Sequence, residues 1–409
     1  MEMYILDRHY MKTNFQLMSL LGIWNPYSQG FSYWIYEFYS ILVFLFIMIT
    51  YTYFEILELI KVNLTLDLIT ENLCISLTHI CGIIKIINLY LRKDNIYTIM
   101  DIMERQIRQP CSGIIGRVQK ESIMSATWTI ETTIKYFAII ITFAEISSLC
   151  APILDGSMWH GQLPFRQYIP IDLTNSINYW VCYVYVALCL YWLAIIIMAH
   201  DCLFIAFVIF ISAHLNILKG KMEICCMISN DDLQDMKTDT SNLSSIELRK
   251  CQMMRSNIEL NTCISIHQNI LRCLTILESM FNVMILLQFA TSLLIICLTG
   301  FQINANTTNI PRFMTMICYL CCVLLELLLY CWHGNEVIIQ SSNLKLSAFS
   351  CNWMEANSKF CKTLHIFLTR VQKPMILTAG GLSNLSLSSF TTIISRSYSY
   401  IAVLNQMNQ

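Results

Sequence analysis

Charge is what this chain has least of. Only 13% of its 409 residues are Asp, Glu, Lys or Arg, while 56% are hydrophobic. A soluble domain carries about 25% charged residues, so this composition with repeated apolar runs places the chain in the membrane class. A formal net charge of -1 leaves no polyelectrolyte surface, which argues against a nucleic-acid partner. No glycine-rich phosphate loop, nucleophile elbow or HExxH is present, and no convincing pair of catalytic carboxylates. The chain is therefore not expected to be an enzyme, and neither a metal nor another cofactor is expected. The 19 cysteines do not alter this, because no CxxC pair recurs and Cys81, Cys189, Cys297 and Cys322 fall inside apolar runs, as small hydrophobes do. The opening MEMYILDRHYMKTNF lacks the pattern of a cleavable signal, so targeting falls to the first spanning helix.

What is present is a set of seven long apolar segments, at roughly 35–54, 73–91, 134–154, 180–213, 280–301, 313–333 and 375–404. Basic residues alternate between the connections. Arg8 and Lys12 precede the first segment. Arg92 to Lys120, Lys219 to Arg272 and Lys345 to Lys373 populate every second connection, whereas the others hold only Lys61, Arg166 and Arg312. The positive-inside rule then predicts a cytoplasmic N-terminus and an extracellular C-terminus. The sequons at Asn63 and Asn306 fall in the outer connections as candidate N-glycosylation sites, and that at Asn242 falls inside. This is the reverse of the rhodopsin-like orientation, and the acidic-Arg-Tyr and Asn-Pro-x-x-Tyr signatures of those receptors are missing. The expected fold is an all-α membrane protein with seven transmembrane helices in a single domain. Cytoplasmic helical regions are expected at 246–279 and 334–374, and a polar loop at 228–245.

Glu145, Glu326, His79, Asp201 and Lys85 lie in or near the spans, where an ionisable group must face protein, water or headgroups. The outer halves of the second, third, fourth and sixth spans hold His79, Gly82, Ile83, Phe143, Ser147, Ser148, Ala151, Tyr179, Tyr183, Val186 and Tyr319. Such a set suits a largely apolar pocket with a few polar handles for a small organic ligand, and it also suits ordinary packing between membrane helices.

The carboxyl end is more specific. YCWHGNEVIIQSSNLKLSAFSCNW runs on to RVQKPMILTAGGLSNLSLSSFTTIISRSYSYIAVLNQM. With weaker echoes in LLGIWNP, LPFRQYIPID and HDCLF, it resembles the insect odorant receptors. The resemblance implies a ligand-gated, non-selective cation channel in the plasma membrane of olfactory sensory neurons, in which a tuning subunit joins a shared co-receptor in a heterotetramer within membrane lipid. It implies a volatile ligand in the outer pocket, and it places Val403, Gln406 and Met407 at a pore lined by the last helix. The long intracellular insertion typical of the co-receptor is missing, so the chain resembles a tuning subunit. A gustatory receptor channel, a metabotropic receptor and a small-molecule carrier are the alternatives.

Overall fold

A computed structural model of the chain describes residues 11–60, 66–108, 113–161, 163–165, 167–225, 245–305 and 309–407. A short helix, α1 (Lys12–Leu20), precedes an unbroken helical run made of α2 (Phe31–Leu42), a π-helical stretch at Val43–Ile49 and α3 (Thr50–Ile60). Then come α4 (Leu66–Leu91), α5 (Lys93–Ile107), α6 (Gly113–Leu154), α7 (Ser176–Ile224), α8 (Ser245–Ala305), α9 (Ile310–Ser350) and α10 (Ser358–Val371). A two-stranded hairpin, β1 (Thr378–Ala379) and β2 (Ser383–Asn384), leads into the last helix, α11 (Leu387–Met407).

Local sequence accounts for the helix ends and faces. Asn175, Asn309 and Asn357 each turn a side-chain oxygen onto a backbone N–H in the first turn of α7, α9 and α10. These caps satisfy donors that the helix itself leaves orphaned. In α10 the buried residues Phe360, Leu364, Phe367 and Val371 recur at steps of four and three, the stripe of a helix with one wet face. The long helices differ. Along the most apolar stretch of α7, 94% of residues are buried, against 28% in both α6 and α9. A helix that is apolar all round belongs in the middle, and α7 packs against α4, α6, α8 and α9.

Among the described residues, six helices are long and apolar enough to cross a membrane: Phe31–Ile60, Ile69–Leu91, Gly113–Leu154, Ser176–Ile224, Arg249–Asn304 and Ile310–Ser350. The 49 residues of α7, 61 of α8 and 41 of α9 outrun the roughly 30 Å hydrocarbon core, since each residue advances a helix by about 1.5 Å.

The seventh expected span, 375–404, needs correction at its start. Residues 375–386 are not helical, and the helix opens at Leu387. Gly380 and Gly381 take φ of 61° and 68°, which reverses the chain into the hairpin, with Thr378 paired to Asn384 and Ala379 to Ser383. The hairpin is held from outside as well. The Gly380 amide donates to the Asn282 carbonyl at 3.1 Å, the Met375 amide to Ser341 Oγ at 2.9 Å, and Thr378 Oγ1 to Glu278 Oε1 at 2.6 Å. A Cβ at Gly380 would stand 2.5 Å from Leu286 Cδ2, and one at Gly334 would stand 2.6 Å from the Leu385 carbonyl oxygen. Both glycines let the hairpin seat against α8 and α9.

Candidate functional site

Two groups of ionisable side chains are buried between the helices. The first sits where α4, α7 and α9 meet. Lys85 Nζ donates to both carboxylate oxygens of Asp201, at 2.8 and 2.9 Å, and to Glu326 Oε1 at 3.1 Å. The Tyr330 hydroxyl donates to Asp201 Oδ1 at 2.8 Å, and His200 Nδ1 lies 3.0 Å from the same oxygen. Phe204 stacks on Tyr330 with ring centroids 4.9 Å apart. Lys85 is 1% and Asp201 0% exposed. Charges this deep persist only when paired and hydrogen-bonded, so the group fastens three helices together.

The second group lies among α3, α4 and α6. The π-helical stretch Val43–Ile49 widens the turn before α3 and rotates the residues of α3 about the helix axis. Within the stretch the Phe46 carbonyl accepts from the Tyr185 hydroxyl at 3.4 Å. In α3 itself Tyr51, Thr52 and Glu55 face inward and are buried. Glu55 Oε2 meets His79 Nδ1 at 2.8 Å, with the Tyr51 ring 5.7 Å from the imidazole. Glu145 of α6 is within electrostatic reach of both His79 and Tyr51.

One turn along α6 from Glu145, Ser148, Ala151 and Pro152 wall a cleft. Glu71, Leu163, Pro164, Phe165, Arg312, Thr315 and Met316 complete it around a cavity of about 30 Å³. That is room for about two water molecules. The cleft lies at the end of the bundle that the charge pattern assigns to the outside. There Asp155 Oδ2 accepts from Arg312 Nε and Asn309 Nδ2, each at 3.2 Å, and Oδ1 accepts from the Ser157 amide at 2.9 Å. Burial alone would raise the Asp155 pKa. The bonds from Ser157 and Asn309 and the Arg312 charge outweigh it and hold the carboxyl below its ordinary range.

The residues singled out for a pocket divide between these surroundings. Ser148 and Ala151 line the cleft, and Ser147 Oγ lies 3.5 Å from Thr315 Oγ1. His79 belongs to the second buried group. The Tyr319 hydroxyl lies 2.7 Å from Thr78 Oγ1 and donates to the Cys74 carbonyl at 3.2 Å. Tyr179 and Tyr183 lie with ring centroids 6.0 Å apart, and the Tyr183 hydroxyl donates to the Leu149 carbonyl at 2.5 Å. Val186 is wholly buried, Ile83 packs against the core, and Gly82 lies so close to Ile197 that a Cβ would stand 2.6 Å from it. Phe143 departs from the rest. It is 65% exposed, because the inward face of α6 runs through Phe137, Ile141 and Ser148 and leaves position 143 turned away from the bundle. Val403 and Gln406 are exposed on α11. Asn63, Asn306 and the side chain of Met407 lie outside the described residues. Sequence reasoning did not single out Glu55, Tyr51, Thr315 or Met316. Among the described residues, no three His, Cys, Asp or Glu side chains converge as a metal site.

The model of a family described as 7tm Odorant receptor matches residues 65–398. The chain belongs to that family. Odorant receptor 94a of Drosophila melanogaster is 22% identical over 400 residues, covering 96% of each chain. Odorant receptor 2a of the same fly is 24% identical over 397 residues, covering 96% of this chain and 95% of its own. The solved structure of the insect olfactory receptor OR5 from Machilis hrabei in complex with eugenol superposes with a TM-score of 0.81 at 19% identity, over 99% of both chains. The same receptor without that ligand gives 0.80. The fold is therefore the seven-helix fold of an insect olfactory receptor, with α11 as its last helix. This odorant receptor is a multi-pass membrane protein whose family is one of receptors.

Proposed function

We propose that the receptor is the odorant-tuning subunit of a ligand-gated, non-selective cation channel in the plasma membrane of insect olfactory sensory neurons, and that it works in a heterotetramer with a shared co-receptor. The observation that carries this reading is the unfinished packing of α11. One face of the helix is seated on α8, where Ser397 Oγ donates to the Leu293 carbonyl at 3.3 Å and Ile401 lies against Gly300. The remaining faces carry Tyr398, Tyr400 and Val403, exposed by 73%, 53% and 53%. Aromatic, hydroxyl and apolar groups left uncovered at the end of a membrane chain suit neighbouring subunits and a pore lining. In this mechanism a small volatile binds among α4, α6, α7 and α9 more tightly in one state than in another. That difference shifts the closed–open equilibrium of the last helices. Val403, Gln406 and Met407 then border the permeation path.

Whole-cell recording tests the reading. The receptor is expressed with and without an insect odorant co-receptor and exposed to a chemically broad panel of volatiles. A ligand-evoked cation current that needs both subunits and survives G-protein blockade is expected, as is altered permeation in Val403→Ala. Currents without the co-receptor would sink the tuning-subunit assignment. A response that vanishes with G-protein blockade would sink the channel mechanism.

A further inference from the structure

Packing leaves several buried polar atoms of the second group without partners. Glu145 Oε2, Tyr51 Oη, Thr52 Oγ1 and Ser148 Oγ are all enclosed by protein with no hydrogen-bond partner. Tyr51 is 0%, Thr52 3% and Ser148 5% exposed, so bulk water does not reach them. Each such atom costs free energy while it stays unpaired. Two of them adjoin the cleft. Ser148 is part of its wall, and Glu145 is three residues away on the adjoining turn of α6, where side chains are neighbours.

Charge is also unbalanced there. Asp155 is matched by Arg312 and Lys85 by Asp201 and Glu326, while Glu55 Oε2 has the His79 ring nitrogen at 2.8 Å. Among the described residues Glu145 has no cationic nitrogen at ion-pair distance. A carboxyl inside a membrane bundle stays ionised only beside a positive partner.

We propose that Glu145 anchors a small protonated primary amine that enters through the cleft. The ammonium has three N–H donors, and the Glu145 carboxylate and Ser148 hydroxyl, one turn apart on α6, offer unused acceptors. A short alkyl part of about two carbons lies along Ala151, Phe165 and Met316, which is what the cleft has room for. The ligand class of the odorant reading is thereby narrowed, and the proposal rests on that reading.

The test is direct binding to the purified full chain in detergent, followed by thermal unfolding with ethylamine, ethanol, acetate and ethyltrimethylammonium. The amine is expected to half-saturate at a concentration about tenfold lower than the alcohol, through its charge-assisted bonds. The trimethylammonium compound keeps the charge but has no N–H, and it is expected to lose most of that advantage. In Glu145→Gln the amine advantage falls about fivefold or more while the alcohol changes by less than about twofold. The wild-type ligand series decides the matter even if that variant folds poorly. Equal binding of amine and alcohol, stronger binding of acetate, or an undiminished amine preference in a folded Glu145→Gln chain each overturns the proposal. An amine that binds but evokes no current with the co-receptor present leaves the site standing and counts against the channel reading. Alcohol-evoked currents with no amine binding do the reverse.

Discussion

Lys85 and Glu145 are both charged residues inside the bundle, and both belong to helices that pack on α7, yet they keep opposite company. Lys85 is saturated, with two carboxylates around one ammonium and a tyrosine and a histidine on the nearer carboxylate. Glu145 has an enclosed oxygen with no partner, next to a tyrosine and a serine in the same condition. The first arrangement is what a permanent structural joint requires, since each Lys85 N–H has a carboxylate oxygen to go to and only His200 Nε2 of the group is left enclosed without a partner. The second is what a binding surface looks like before its ligand arrives, because partners supplied from within would compete with the ligand for the same lone pairs. On the proposed reading, ligand binding and stability rest on two separate places within one helical bundle.

The contrast can be broken most severely at the joint. Asp201→Ala strips Lys85 of its bidentate partner and orphans Tyr330, and the expected loss is about 3–5 kcal/mol of stability. It would be seen as a large drop in the thermal midpoint and in surface expression. Gly334→Ala is expected to cost about 1–3 kcal/mol, because the new Cβ meets the Leu385 backbone oxygen, which cannot swing aside as a side-chain tip could. The same thermal measurement checks it. Tyr51→Phe sharpens the comparison from the other side. Removing a hydroxyl that bonds to nothing should leave stability within about 0.5 kcal/mol of the parent, or raise it, whereas Tyr330→Phe should destabilise by about 1–3 kcal/mol. The smallest effect concerns the outer tether. Asp155 is held below its ordinary pKa, so its contribution is present above the ordinary aspartate value of about 3.9 and disappears as pH falls through the lower folded value. Hydrogen exchange at the ends of α6 and α9 should accelerate at that acid limit in the parent, and Asp155→Asn should remove the pH step.

How much of the fold and the site is legible in the sequence depends on the kind of information a linear pattern can encode. The long apolar runs disclose the spanning helices, because a chain in lipid must satisfy its own backbone, and the alternation of basic connections gives the orientation expected of them. Ser147, Ser148 and Ala151 stand out as small and hydroxyl residues in the outer half of an apolar run, and the structure places Ser147 beside Thr315 of α9 and the other two in the cleft wall. Glu55 escapes notice for the opposite reason. The π-helical stretch ahead of it breaks the 3.6-residue rhythm, so its inward aim cannot be counted from the residues before it. Phe143 fails on phase alone. Met375, Ile376 and Leu377 read as the start of an apolar helix, but Gly380 and Gly381 turn the chain back and the flanking amides bond to α8 and α9. The joint itself pairs positions 116 and 241 residues apart, a proximity that no local signal contains.

The unbroken course of α8 has a mechanical meaning. Its 61 residues make a rod about 90 Å long, fixed near one end to α11 and at the other to α10. A rod of that length acts as a lever. A tilt of about 5° around its midpoint carries each tip through about 4 Å, more than the diameter of a water molecule. A displacement at the end of α8 beside α11 is therefore delivered, undiminished and without any hinge, to the end beside α10.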